Sequence, residues 1–404
     1  MRTCPDESHR IESPIVGTAG NKGSIRISIA CALIAMLAGV TAIWAANDAS
    51  WPDASTLVKV AFSDQIAPLA VAIDPGFDLG GGQEHYDGLY YYAIALDPFA
   101  LGQAHELIDM PGYRYGRPMH GWLASMLSFS NHSLIPEALL GLSLMGLALG
   151  AFGASRLCVH FGRTPWGGLV IAMSPGVLFA ATVSTTETMG AALAICLVLA
   201  WVQRWPTWTI ALIAIMLSLY REQLVLVIIG LLLFEVIDRI RGRAWPVRDE
   251  IRRAGALLTG PAVLAAWLVY SHAQFDTWPT PDDSGNLSLP PMGWIESFRV
   301  AYGSQNTGNL VDHQIGSTAP PYLVALAVLL LASLWAARRV RSPLDTILIL
   351  QVILMASLGW RTLVFPHEMY RIPSLAILAA LAVLLLAGGS GVSREWSSPD
   401  PVSR

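Results

Sequence analysis

Apolar runs recur along this chain, most of them longer than a soluble core requires. They lie near residues 25–46, 134–157, 165–184, 188–203, 207–220, 223–238, 254–271, 320–337, 343–359 and 372–388. A helix needs roughly 20 apolar residues to cross a bilayer. Inside the bilayer, only helices and closed barrels satisfy their own backbone. The pattern therefore predicts an all-α polytopic membrane protein with about ten transmembrane helices, several of them short for a full crossing. Residues 1–23 read as a disordered cytoplasmic tail, 24–390 as one transmembrane domain and 391–404 as a second cytoplasmic tail. The first run, Ile27–Ala45, is followed by Ala-rich sequence as a secretion signal would be, but its length is that of a spanning helix.

Basic residues orient the spans. Lys22 and Arg26 precede the first, Arg156 and Arg163 follow the second, and Arg204 follows the fourth. Six arginines between Arg239 and Arg253 follow the sixth, Arg338, Arg339 and Arg341 the eighth, and Arg394 the last. All fall on one side if both termini are cytoplasmic, as the positive-inside rule favours. The other side receives two long, acid-rich loops, about 47–133 and 272–319. In the first, residues 87–96 suit a short helix lying on the membrane. Met119–Phe129 is apolar but too short to cross, and suits an interfacial or re-entrant helix with Trp122 at headgroup level.

Composition agrees with this reading. Of the 404 residues, 54% are hydrophobic and 13% charged, against about 25% charged in a soluble protein. The net charge of -4 and the lack of a basic patch exclude a nucleic-acid surface. Cys4, Cys31, Cys158 and Cys196 have no CxxC spacing, so neither a disulfide framework nor a metal site follows from them. P-loop, GxSxG and HExxH motifs do not occur.

Chemistry concentrates in the first outer loop, in Gly82-Gln83-Glu84-His85-Tyr86-Asp87-Gly88-Leu89-Tyr90-Tyr91-Tyr92 and Tyr113-Arg114-Tyr115-Gly116-Arg117. Charges beside lipid are costly and mark functional positions. Asp87 suits a general base toward a hydroxyl, or alternatively the cap of a helix starting at Gly88. Gly88 would let a substrate approach the backbone. Arg114 and Arg117 suit a phosphate, reactive or in a lipid headgroup, because each presents a fork of donors and stays charged. Further acids and bases stand at other outer helix ends: Glu187, Arg221 with Glu222, and His367-Glu368-Met369-Tyr370-Arg371. Each alone reads as a solvated loop charge, but together they would converge on one outward-facing cavity. Glu235, Asp238 and Asp345 sit at inner span ends and read as structural charge balance, and Trp201 as part of an inner aromatic belt.

The string Tyr86-Asp87-Gly88-x-x-Tyr91-Tyr92-x-Ile94-Ala95, then Asp97-Pro98-Phe99 and Tyr113-Arg114-Tyr115-x-Arg117, resembles the GT-C superfamily of integral-membrane glycosyltransferases, in particular its mannosyltransferase-like branch. Thr186-Glu187, Arg221-Glu222 and Tyr370-Arg371 extend the likeness over most of residues 80–390. The resemblance implies a helical bundle with a large first exterior loop carrying juxtamembrane helices, in the bacterial inner membrane among membrane lipids. It also implies sugar transfer from a polyprenyl-phosphate donor to a glycan, lipid or protein acceptor on the periplasmic side, with inversion. Carried over, Asp87 is the base, and Arg114 and Arg117, with Arg221 or Arg371, hold the lipid phosphate. Glu84, His85, Tyr86, Tyr91, Glu187, Glu222, Glu368 and Tyr370 contact donor or acceptor. Members often pair two acids around a divalent cation, Mg or Mn. Here only Asp74-x-x-x-Asp78 and Glu84-x-x-Asp87 come near that motif, and no metal ligand is assigned. The competing readings are a transporter or lipid flippase, and a non-catalytic scaffold.

Overall fold

The computed structural model describes residues 18–79, 85–242, 247–278 and 285–387. Both expected terminal tails lie largely outside these residues, although the first helix already begins at Thr18. Among the described residues the regular elements are all helical. They run α1 (Thr18–Ala46), α2 (Ala67–Ile73), α3 (Gly88–Leu96), α4 (Pro111–Arg114), α5 (Met119–Leu127) and α6 (Ile135–His160). Then come α7 (Pro175–Thr182), α8 (Glu187–Val202), α9 (Thr207–Tyr220), α10 (Val225–Ile240) and α11 (Val247–Phe275). The remainder are α12 (Met292–Gly303), α13 (Leu310–Ala337), α14 (Pro343–Ala356), α15 (Trp360–Val364), α16 (Glu368–Arg371) and α17 (Ser374–Ala387).

Five stretches are helical, long and apolar enough to cross a bilayer: Lys22–Ala46, His132–His160, Arg248–Phe275, Leu310–Ala337 and Glu368–Leu386. That is the make-up of an integral membrane protein. The other apolar runs are shorter as helices. Helix α8 has 16 residues, and α9 and α14 have 14 each. At 1.5 Å per residue the longest of these rises about 24 Å, less than the ~30 Å hydrocarbon layer. The 165–184 run is not one helix. Pro165 opens a 3-10 turn over Pro165–Val170, and Pro175 starts the short α7 after a break, as expected of a residue lacking an N–H and favoured at helix starts.

Helix α8 is the centre of the bundle, with every residue except Ile195 buried. It packs on α6, α7 and α9; α1 lies along α6, α11 along α9, and α17 against α13 and α14. Leu33 and Leu37 of α1 point outward, as lipid-facing side chains do. Asp345 is structural, as expected. It forms a capping box with Ser342, and its Oδ2 also accepts from the backbone N–H of Arg341 at 2.7 Å. Trp201 is not in an aromatic belt: it is buried beneath the Arg253 guanidinium, which lies 4.1 Å from its ring centre.

The first long loop is a folded layer. Helix α3 is buried from Gly88 to Ala95, so it does not lie on the membrane surface. GLYYYAIAL is apolar on all sides, and a helix of that kind is covered on all sides. It packs on α5 and α6. Asp97 closes its far end: Oδ1 accepts from the N–H groups of Leu101 and Gly102 at 2.8 and 2.9 Å, and Oδ2 pairs with His105 Nδ1 at 2.7 Å. The Tyr115 hydroxyl donates to the Asp97 carbonyl at 2.7 Å, and Trp267 Nε1 donates to the Tyr115 carbonyl at 2.6 Å. These bonds fasten the arm that carries Arg114 and Arg117 to α3 and α11.

Gly88 is needed for protein packing rather than for substrate approach. A Cβ there would stand 2.6 Å from the Val58 carbonyl oxygen and 2.8 Å from that of Val183. Backbone cannot yield as a flexible side chain can, so Gly88→Ala is expected to cost about 1–3 kcal/mol. Thermal unfolding of the purified protein tests this; an unchanged midpoint would contradict the packing role of Gly88.

Candidate functional site

Asp87 stands at the N-terminal boundary of α3, as its sequence predicts, but its side chain makes no capping hydrogen bond. Its carboxylate turns away from the helix instead. Oδ2 accepts from Arg371 Nη1 at 2.6 Å, and Oδ1 from Arg114 Nη1 at 3.3 Å. The capping alternative therefore fails at this residue.

Arg371, the last residue of α16, has its side chain only 4% exposed. Besides Asp87 it donates from Nη2 to both oxygens of Glu368, at 2.8 and 3.0 Å, and its Nε lies 3.4 Å from Glu187 Oε1. Glu187, the first residue of α8, is buried and also ion-pairs with Arg221, which sits in an extended turn after α9. Neither Glu187 nor Arg221 is the solvated loop charge expected of it singly. A charge out of water needs a counter-charge and hydrogen bonds, and each supplies the other.

A second arm completes the cluster. Arg117 grips Glu222 with two parallel bonds, Nε to Oε2 at 2.9 Å and Nη2 to Oε1 at 2.8 Å, and Nη2 also donates to the Tyr113 hydroxyl at 2.6 Å. Arg114 lies 3.5 Å above the centre of the Tyr90 ring and reaches Asp109 Oδ2 at 3.3 Å. Between these arms opens a cleft of about 220 Å³ lined by Asp87, Tyr90, Tyr91, Tyr113, Arg114 and Arg117. Tyr86 donates to Glu368 at 3.3 Å, and its ring meets Phe179 and His367 edge-on. Beneath Tyr91, buried His120 hydrogen-bonds the Tyr220 hydroxyl at 3.2 Å.

Ten of the residues singled out in the sequence thus meet here: Tyr86, Asp87, Tyr91, Arg114, Arg117, Glu187, Arg221, Glu222, Glu368 and Arg371. His85 stands apart, paired with Asp64 at 2.8 Å, and Tyr370 packs against Tyr322. Glu84 lies outside the described residues. Arg221 and Arg371 belong to the network but do not line the cleft. Tyr90 and Tyr113 stand in the two quoted strings with no role assigned to them there, and Asp109 and His120 have none either. Helical spacing did hold a signal for Tyr90, since positions 87, 90 and 91 share a face. For His120, a lone histidine in an apolar helix, it held none.

Electrostatics sets the protonation states. Burial pushes the Asp87 carboxyl up, but Arg371 and Arg114 outweigh it and hold Asp87 below the usual carboxylate range. It is ionised at neutral pH, and a poor proton acceptor while both guanidiniums stay in place. Burial raises the Tyr86 and Tyr90 phenols, which remain neutral donors. It drives His120 down to about 4, so that imidazole is neutral.

Among the described residues no group of three or more His, Cys, Asp and Glu side chains is placed to hold a metal ion. The site acids are instead held by arginines, so the described donor set does not fit a divalent cation. A larger cavity of about 700 Å³ lies among α6, α8, α10, α14 and α17, lined by apolar residues such as Leu157, Val198, Leu344 and Leu378. It offers no acid, base or charged donor. Compared with known protein families and with curated proteins, the chain matches none.

Arg371 is the counter-ion that the buried acids share. Arg371→Gln is expected to destabilise the protein by about 3–5 kcal/mol, the usual cost of stranding buried charge; a shift no larger than that of a surface arginine variant would contradict this. Because the Asp87 value is lowered on folding, its stabilising contribution is complete above the unfolded value of ~3.9 and is lost as pH falls below it. Acid unfolding of Asp87→Asn should lack that component, whereas superimposable wild-type and variant curves would refute the pairing.

Proposed function

We propose that this protein is a membrane glycosyltransferase that moves a sugar from a polyprenyl-phosphate donor to an acceptor hydroxyl, with inversion, at the outer face of a bacterial inner membrane. One observation carries the reading. Two acids, Asp87 and Glu187, and four guanidiniums, drawn from the 86–117 segment, the start of α8, the α9–α10 turn and the end of α16, gather at one place, and Asp87, Arg114 and Arg117 of them line its cleft.

The chemistry suits that set. In a single displacement the acceptor oxygen attacks the anomeric carbon, its proton passes to a carboxylate, and the bond from that carbon to the phosphate oxygen breaks. Asp87 is the carboxylate at the cleft. Arg114 and Arg117 face the same space and would stabilise the charge gathering on the departing lipid phosphate. Half-buried Tyr113 offers an aromatic ring and a hydroxyl group to a sugar, and Tyr90 and Tyr91, both buried, complete the wall. No step is assigned to a metal. A carrier would place ionisable groups midway along its spans, whereas Glu187, Arg221 and Arg371 stand at helix ends.

The matching topology has about ten membrane passes with both termini cytoplasmic, the shorter helices α8, α9, α10 and α14 and the broken 165–184 segment crossing within the bundle. Reporter fusions after Ser50 should then read outside and after Gly242 inside. The opposite pattern would put the cluster on the cytoplasmic face.

Asp87→Ala is expected to abolish transfer, a loss of at least about 100-fold, in protein that still purifies as a folded monodisperse species. Arg114→Ala should raise the KM for donor more than that for acceptor. Transfer by Asp87→Ala at the wild-type rate would remove Asp87 as the base.

A further inference from the structure

The network of carboxylates and guanidiniums has no spare positive charge. Arg114, Arg117, Arg221 and Arg371 face Asp87, Asp109, Glu187, Glu222 and Glu368, and every guanidinium already has a carboxylate partner. An anion entering the cleft therefore cannot simply add to a vacant cation. It must take the place of a carboxylate.

The carboxylates differ in how readily they can leave. The side chain of Glu187 is 5% exposed and is held by two buried guanidiniums. Glu222 and Asp109 are about half exposed, at 50% and 51%, and can turn into water without stranding a buried charge. They are also the partners of the two arginines that line the cleft. Glu222 meets Arg117 in the parallel two-bond geometry by which a guanidinium takes a phosphate. Asp109 holds Arg114 loosely at 3.3 Å, longer than the usual 2.7–2.9 Å of a charge-assisted bond, and Arg114 Nε is buried with no partner. The cleft is too narrow to take a phosphate beside these carboxylates, so a phosphate enters only into the space that they vacate.

We propose that Glu222 and Asp109 are placeholder carboxylates, occupying on Arg117 and Arg114 the positions that a phosphate group takes by displacing them into solvent. Arg221 and Arg371 are then framework rather than phosphate ligands. Exchange at Arg114 also relaxes its hold on Asp87 Oδ1, so the arriving phosphate frees one oxygen of the base that the transfer requires. This inference rests on the glycosyltransferase reading for the role of Asp87, and on the cleft alone for the exchange.

The exchange has a sign that a substrate-contacting role does not. If Glu222 held a sugar hydroxyl, removing its charge would weaken binding or leave phosphate unaffected; as a placeholder, its loss tightens phosphate binding. Calorimetric titration of the full-length protein in detergent, with inorganic phosphate and separately with a short-chain polyprenyl monophosphate, reads this directly. Glu222→Gln should bind phosphate about fivefold tighter than wild type, the effect of removing one half-exposed competing ion pair. Asp109→Asn should do the same independently if the first variant folds poorly, and Arg117→Gln should lose most of the affinity. Binding of both probes identifies the phosphate group itself as the occupant, and binding of the lipid probe alone identifies a lipid phosphate. Unchanged or weaker binding by both Glu222→Gln and Asp109→Asn would overturn the placeholder role while leaving the transferase reading intact. Failure of both probes to bind any form would overturn the phosphate site, and the transferase reading with it.

Discussion

One guanidinium holds this structure's polar centre together. Arg371 contacts carboxylates from three places far apart in the chain: Asp87 at the head of α3, Glu187 at the head of α8, and Glu368 one turn back. Each of these acids would be costly to bury alone, and Arg371 would be equally costly without them. The first long loop, the central helix and the last apolar helix are therefore tied at a single point. A fold that must satisfy this cluster has little freedom in where α3, α8 and α16 end. The outward arms, with Arg114 and Arg117, hang from that fixed point and border the cleft.

Much of the scaffold was legible in the sequence. The apolar run 207–220 is the helix Thr207–Tyr220, a helix does begin at Gly88, and the short segment at Met119 is helical and does not span. Periodicity and length carry such information because local apolar runs form helices wherever they end up. The 165–184 run misled because its prolines break a segment whose hydropathy alone looks continuous. Helix α3 misled because burial on all sides depends on the layer folded over it, which no local pattern reveals. The site was legible as a set of helix-end charges but not as a set of pairs. Nothing in Glu187 or Arg371 announces that they meet across 183 intervening positions of chain, nor that His85 and Tyr370 turn elsewhere.

The pairing changes what the residues can do. Four arginines of equal standing in the sequence separate into an inner pair, buried and charge-paired with Glu187, Asp87 and Glu368, and an outer pair that shares its cleft with aromatic rings. Asp87, the carboxylate that lines the cleft, is also one whose basicity Arg371 and Arg114 suppress. On the reading proposed above, the site rests with every guanidinium paired and becomes reactive when an anion rearranges the pairs, which links donor arrival to the state of Asp87.

The most direct measurement is a structure of the protein in a lipid disc with a non-hydrolysable polyprenyl-phosphate sugar bound. The account predicts phosphate oxygens within about 3 Å of Arg114 and Arg117, the sugar's anomeric carbon facing Asp87, and Arg371 still holding Glu187 and Glu368. A donor bound elsewhere on the protein, with the cleft closed and every ion pair of the cluster unchanged, would contradict it.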